Sequence, residues 1–139
     1  MRKVFAGLTI LLMLVVVTEF YFAASGGFST APRAESYRPH HALGYVIFLL
    51  PVVMAIVAAF ARMPARFIGL SALVAGLTSV QVLIAKLAMA LRDTDDGTAG
   101  VLIFGLHAVG GLAIAGVAWT LVRQARALSN DDDAASVSS

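Results

Sequence analysis

The chain has 139 residues, of which 60% are hydrophobic and only 13% are charged, and its mean hydropathy is +0.89. A soluble domain contains about 25% charged residues, so this composition excludes an ordinary soluble protein and indicates a membrane protein. The net charge of +2 does not indicate nucleic-acid binding, because the basic residues lie at the ends of apolar runs.

Four apolar runs predict four helices, at about residues 4–23, 40–61, 67–91 and 101–122. Each run is about 20 residues or longer, and at 1.5 Å per residue this matches a hydrocarbon core of roughly 30 Å. We therefore expect an all-α, integral membrane four-helix antiparallel bundle that contacts the lipid bilayer. It forms a single domain over residues 1–128, and residues 129–139 form a disordered acidic and serine-rich tail.

The first apolar run has two interpretations. Arg2 and Lys3 before the run, and Ala23 and Ser25 after it, are typical of a cleaved secretory signal. The run is longer than a usual signal core and contains Glu19. We expect it to be retained as the first helix, and cleavage to leave three helices stays the alternative.

The basic residues predict the orientation of the bundle. Loops on the cytoplasmic side of a membrane carry an excess of lysine and arginine. The side of the bundle that holds both termini carries six basic residues, and the other side carries three: Arg2, Lys3, Arg62, Arg66, Arg123 and Arg126 against Arg33, Arg38 and Arg92. We therefore expect a protein of the bacterial plasma membrane with both termini in the cytoplasm.

The third helix carries small residues at helical spacing, together with one lysine. Small residues let membrane helices approach closely, so this stripe predicts the packed face of the helix. Gln81 lies off the stripe, whose members are Ala72, Gly76, Ser79, Lys86 and Ala90.

One ionisable residue of each helix falls in the predicted outer half of the bundle: Glu19, His41, Lys86 and His107. Ionisable groups at membrane depth are costly and mark functional sites, and bundle sites are built from several helices. Because the chain has no cysteine, thiolate metal sites, iron–sulfur clusters and c-type haem attachment are excluded.

These positions predict a b-type haem between the second and fourth helices, with His41 and His107 as iron ligands. Each histidine is followed three residues later by a glycine, Gly44 or Gly110, which leaves a flat surface for the macrocycle. We prefer His41 because its neighbour His40 is shallower still. A difference in depth argues against this pair of ligands, because His41 is about five residues shallower than His107, or roughly 7 Å along a helix.

Glu19 and Lys86 have two predicted roles. Either residue can pair with a haem propionate or orient an imidazole. Alternatively, they form a structural ion pair, while the histidines are interfacial or hydrogen-bonded inside the bundle.

Three functional classes therefore stay open. The first is a haem-b electron-transfer protein or membrane subunit of a redox complex. The second is a non-catalytic accessory subunit of a larger membrane complex. The third is an oligomeric channel or transporter that uses Glu19 and Lys86. No nucleophile–base arrangement is present, so the sequence favours a protein that is not an enzyme.

Two short motifs carry a resemblance to known proteins. HHALGY at residues 40–45 and LHAVGG at residues 106–111 resemble segments of small actinobacterial four-helix membrane proteins of uncharacterised function, over roughly residues 4–126. More distantly, histidines on two helices of a membrane bundle resemble di-haem b-type cytochromes and haem A synthase halves. The resemblance implies haem held by paired histidines.

Overall fold

The computed structural model describes residues 1–92 and 97–137. These residues form one short helix and four long ones, and the predicted all-α architecture is confirmed. The four long helices are each long and apolar enough to cross a membrane, which is the architecture of a multi-pass membrane protein. In chain order the helices are α1 Arg2–Phe28, α2 Arg33–Ser36, α3 Arg38–Phe60, α4 Ala65–Arg92 and α5 Thr98–Val137.

The long helices pack as a ring in the order α1, α3, α4 and α5, with α5 closing back on α1. Successive long helices run antiparallel because short connections join helices that lie side by side. Within the described residues, α3 and α5 do not pack directly against each other. They therefore face each other across the middle of the bundle. We call the end that holds Met1 and Arg62 the proximal end, and the end that holds α2 and Gly97 the distal end.

A tight turn joins α3 to α4 at the proximal end. Arg62 has a left-handed backbone with a φ of 51°. The amide of Met63 donates a hydrogen bond to the carbonyl of Ala58 at 2.9 Å, which is the closing bond of a Schellman motif. Met63 is itself buried, so the turn is anchored in the core.

The apolar core occupies the proximal half and the middle of the bundle. The ring of Phe5 meets that of Phe67 edge to face, with centroids 5.5 Å apart. Leu12, Met54 and Leu121 are fully buried around this pair. α1 contributes Phe5 and Leu12 to this core.

The helix ends differ from the predicted ones. α1 continues to Phe28, five residues beyond its predicted end, and the segment between it and the next long helix contains α2. α5 continues to Val137 through most of the predicted disordered tail, because an existing helix extends at one hydrogen bond per added residue. Ser138 and Ser139 lie outside the described residues, as do residues 93–96 between α4 and α5.

The predicted packed face of α4 is wrong. Every member of the small-residue stripe is exposed: Ala72, Gly76, Ser79, Lys86 and Ala90. The buried face instead holds Ser71, Val74, Ala75, Thr78 and Gln81. Thr78 satisfies its hydroxyl locally, by donating to the carbonyl of Val74 at 2.8 Å. The pattern misleads because in a membrane helix both lipid-facing and protein-facing surfaces are apolar.

Candidate functional site

A polar cluster lies in the distal half of the bundle, where the apolar core ends. It consists of one residue from each long helix: Glu19 of α1, His40 of α3, Gln81 of α4 and His107 of α5. We call these four residues the distal cluster.

Glu19 and His40 form the first contact of the cluster. Nδ1 of His40 lies 3.0 Å from Oε1 of Glu19, and the two side chains are only 18% and 15% exposed, respectively. The contact places a carboxylate beside the ring nitrogen, and it is an ion pair when the imidazole is protonated. The second carboxylate oxygen of Glu19 is buried and has no partner among the described residues. Glu19 therefore retains a free acceptor inside the bundle.

His107 is held by the main chain of α4. Its Nδ1 lies 3.2 Å from the carbonyl oxygen of Gln81. A carbonyl oxygen only accepts, so Nδ1 carries the proton in this contact and Nε2 is left as the free nitrogen. The ring of Phe104 stacks on His107 with centroids 5.3 Å apart and an interplanar angle of 9°. These two contacts fix the orientation of the imidazole.

The two histidines meet across the bundle. The ring centroids of His40 and His107 are 6.2 Å apart, and their planes are inclined by 65°. Their helices, α3 and α5, do not pack directly against each other in the described part of the chain. The side chains therefore bridge the middle of the bundle. Tyr37 packs edge to face on His40 from the distal side, with centroids 5.9 Å apart.

The Gln81 side chain lies against Gly110. Gln81 is only 7% exposed, and its Nε2 occupies the space that a Cβ on residue 110 would need. Its Oε1 is buried with no partner in the described residues. Gly110 thus admits an amide in this structure. Gly44 faces the carboxylate of Glu19, where a Cβ would lie at an ordinary 3.7 Å from Oε1.

The structure brings His40 rather than His41 to the cluster. His41 is exposed, although its ring lies 5.8 Å from that of His40. The depth of each histidine along its helix predicts His41 instead, because His41 lies one residue deeper than His40. His107 lies much farther from the distal end of α5 than His40 does from that of α3, and yet their rings approach closely. The distal ends of the two helices are therefore staggered, with α5 beginning farther out.

Lys86 is not part of the cluster. It is exposed on the outer surface of α4, so its predicted place on the packed face and its ion pair with Glu19 are wrong. Gln81 takes the position that α4 contributes. The sequence indicates this role in one way, because Gln81 is the only amide side chain within the four predicted spans.

The donor set limits the chemistry of the cluster. Among the residues that the structure describes, no three histidine or carboxylate side chains are grouped so as to hold a metal ion. Two imidazoles are enough to bind the iron of a haem, which supplies its own four nitrogen ligands. A polar cavity of about 200 Å³ adjoins the cluster through Tyr37, and its other lining residues belong to residues 26–36.

Four helices long and apolar enough to cross a membrane, around a half-buried, histidine-containing cluster, define a small multi-pass membrane protein with a polar cluster inside its bundle. The chain belongs to DUF6220, a family of unknown function, whose model matches residues 19–89, half of the chain. That range includes Glu19, His40 and Gln81 and ends before His107. A search of curated proteins and a search of solved structures each found no match.

Proposed function

We propose that this protein binds haem b between α3 and α5, where His40 and His107 would hold the iron. In this role it is an electron-transfer protein or the membrane subunit of a redox complex. The observation that carries the proposal is the 6.2 Å separation of the two imidazole centroids. Imidazoles on opposite sides of one iron have centroids about 6 Å apart, because each metal–nitrogen bond is about 2 Å and each centroid lies about 1 Å behind its nitrogen.

The partners of the two histidines also support iron binding. A histidine that binds a metal through one nitrogen usually donates the other N–H to a carboxylate or a carbonyl. Glu19 stands beside Nδ1 of His40, and the Gln81 carbonyl stands beside Nδ1 of His107. Nε2 is therefore the nitrogen available to iron on both residues.

A macrocycle that lies over Gly44 and Gly110 requires a rearrangement of Gln81, whose amide lies against Gly110. This amide has an unpartnered Oε1, so its rotation breaks no hydrogen bond of that atom within the described part of the chain. Haem supplies one-electron transfer, and the residues of this chain hold the iron and set the basicity of its ligands.

The test is an optical spectrum of the detergent-purified protein, oxidised and then reduced with dithionite after full haem supply. We expect a reduced b-type band in the wild type and in His41→Ala, and its loss in His40→Ala and His107→Ala. His41→Ala is the matched control because it removes the exposed neighbour of the proposed ligand. A wild-type spectrum without this band, or a band retained in His40→Ala or His107→Ala, would overturn the assignment.

A second variant tests the role of Glu19. Loss of a group that orients a metal-binding histidine costs about 10–100-fold in affinity. We therefore expect Glu19→Gln to weaken haem binding by about this factor in a titration of the apoprotein. Glu35→Gln is the control, because Glu35 is an exposed carboxylate of α2. Equal affinity in the two variants would exclude Glu19 as a partner of the ligand.

A non-catalytic accessory subunit is the second candidate function. It is favoured by the small-residue stripe of α4, which lies on the outside of the bundle. Small residues permit close contact between membrane helices, and within residues 1–92 and 97–137 no helix covers this stripe. If the protein has this function, we expect its optical spectrum to contain no haem band and the protein to purify with a larger membrane complex.

A further inference from the structure

A narrow groove lies between α1 and α5 in the proximal half of the bundle, away from the distal cluster. Its volume is about 170 Å³. Five of its lining residues are apolar and the sixth is an arginine: Ile10, Met13, Leu14, Trp119, Val122 and Arg126. We call this cavity the α1–α5 groove.

The groove has an apolar part and a charged end. Arg126 follows Trp119 by two helical turns, which places it roughly 10 Å nearer the proximal end of the bundle. Trp119 is 53% exposed and Leu14 is 59% exposed, so the apolar part opens towards the membrane. An occupant must therefore be apolar along its length and anionic where it reaches the membrane surface.

We propose that the α1–α5 groove binds an anionic phospholipid, with one acyl chain against Leu14 and Trp119 and the phosphate at Arg126. Charge complementarity supports this occupant, since basic pockets between membrane helices bind anionic headgroups. The volume supports it as well. Sites that enclose a drug-sized ligand measure about 300–1,000 Å³, whereas a lipid places only part of one chain in the groove and leaves the rest in the bilayer.

Trp119 makes the groove directly observable, because it is the only tryptophan of the chain. The experiment uses the full chain in vesicles of phosphatidylcholine and phosphatidylglycerol. In one sample the phosphatidylglycerol carries brominated acyl chains, and in the other an equal mole fraction of phosphatidylcholine carries them. Bromine quenches the indole on contact. We expect brominated phosphatidylglycerol to quench more strongly, which corresponds to an enrichment of about fivefold at the groove.

The variants separate the groove from general surface charge. Arg126→Gln should remove the preference for phosphatidylglycerol. Arg123→Gln should retain it, because Arg123 is an exposed arginine at the same end of α5 that does not line the groove. Arg126→Lys keeps the charge and should restore most of the preference, which also separates lost binding from misfolding. Equal quenching by the two lipids in the wild type, or equal losses in the two glutamine variants, would overturn the proposal.

Discussion

At the scale of single residues, the distal half of the bundle contains polar side chains that the hydrocarbon of the membrane cannot solvate. A charged group in this environment needs a partner, and Glu19 and His40 provide one for each other. Two of the four buried side-chain oxygens without partners in the described residues, Oε2 of Glu19 and Oε1 of Gln81, lie in this cluster, and the other two belong to Ser71 and Gln124. Unsatisfied buried groups are rare in folded proteins, so each of these two oxygens is an acceptor that a bound group could satisfy.

Lys86 provides a stability test of the observed pairing. We expect Lys86→Leu to change the free energy of unfolding by no more than about 0.5 kcal/mol, because an exposed side chain is replaced on the outer surface of α4. Removal of one partner of a buried ion pair costs about 3–5 kcal/mol. The measurement is reversible unfolding in mixed detergent micelles. If Lys86→Leu instead lowered the free energy of unfolding by several kcal/mol, the ion pair between Lys86 and Glu19 would be the better interpretation.

At the scale of elements, glycines of α5 determine how closely it approaches α4. A Cβ on residue 100 would lie 2.8 Å from the carbonyl oxygen of Ala88, so Gly100 permits the two backbones to meet near the distal end. One turn beyond His107, Gly110 admits the Gln81 amide. The pairing of α4 with α5 thus depends on missing side chains at defined positions.

A pair of alanine substitutions in α5 tests this packing. Alanine is favoured over glycine in a helix by about 1 kcal/mol, so a glycine that faces open space should tolerate the change or gain stability. Gly105 has nothing within 4 Å of its Cβ position and is the matched control. We expect Gly100→Ala to be less stable than the wild type by about 1–3 kcal/mol, because its Cβ would lie 2.8 Å from the carbonyl oxygen of Ala88 and a helix backbone cannot rotate aside as a side chain can.

Thermal unfolding in detergent measures both variants. If Gly100→Ala and Gly105→Ala unfold at the same temperature, the backbones of α4 and α5 do not meet at Gly100.

At the scale of the whole molecule, the bundle separates a proximal apolar core from a distal polar cluster. The core around Phe5 and Phe67 supplies close packing, which is the main force between helices surrounded by lipid. The cluster lies where the helices are joined by α2 and the α4–α5 connection. A site at this end opens to one side of the membrane only, so the orientation of the chain determines which compartment it faces.

Cysteine labelling measures that orientation. We expect Thr30→Cys to react with a membrane-impermeant maleimide in intact cells, and Ala65→Cys to react only after permeabilisation, because the basic side of the chain stays in the cytoplasm. Both residues are exposed, they lie at opposite ends of the bundle, and the absence of native cysteine removes background labelling. The reverse pattern would place the distal cluster on the cytoplasmic side.

Much of the architecture, and part of the site, could be predicted from the sequence. Run lengths predict the four spans, and the cost of an ionisable group within an apolar run marks Glu19 and His107. Both properties depend on the order of residues along the chain alone.

Only the tertiary structure decided between His40 and His41, and between Gln81 and Lys86. These choices depend on the rotation of each helix about its axis and on the stagger of the helix ends. A soluble helix reveals its rotation through its apolar face. A membrane helix is apolar towards lipid and towards its neighbours, so its rotation is set by side-chain packing between helices, which the order of residues does not display.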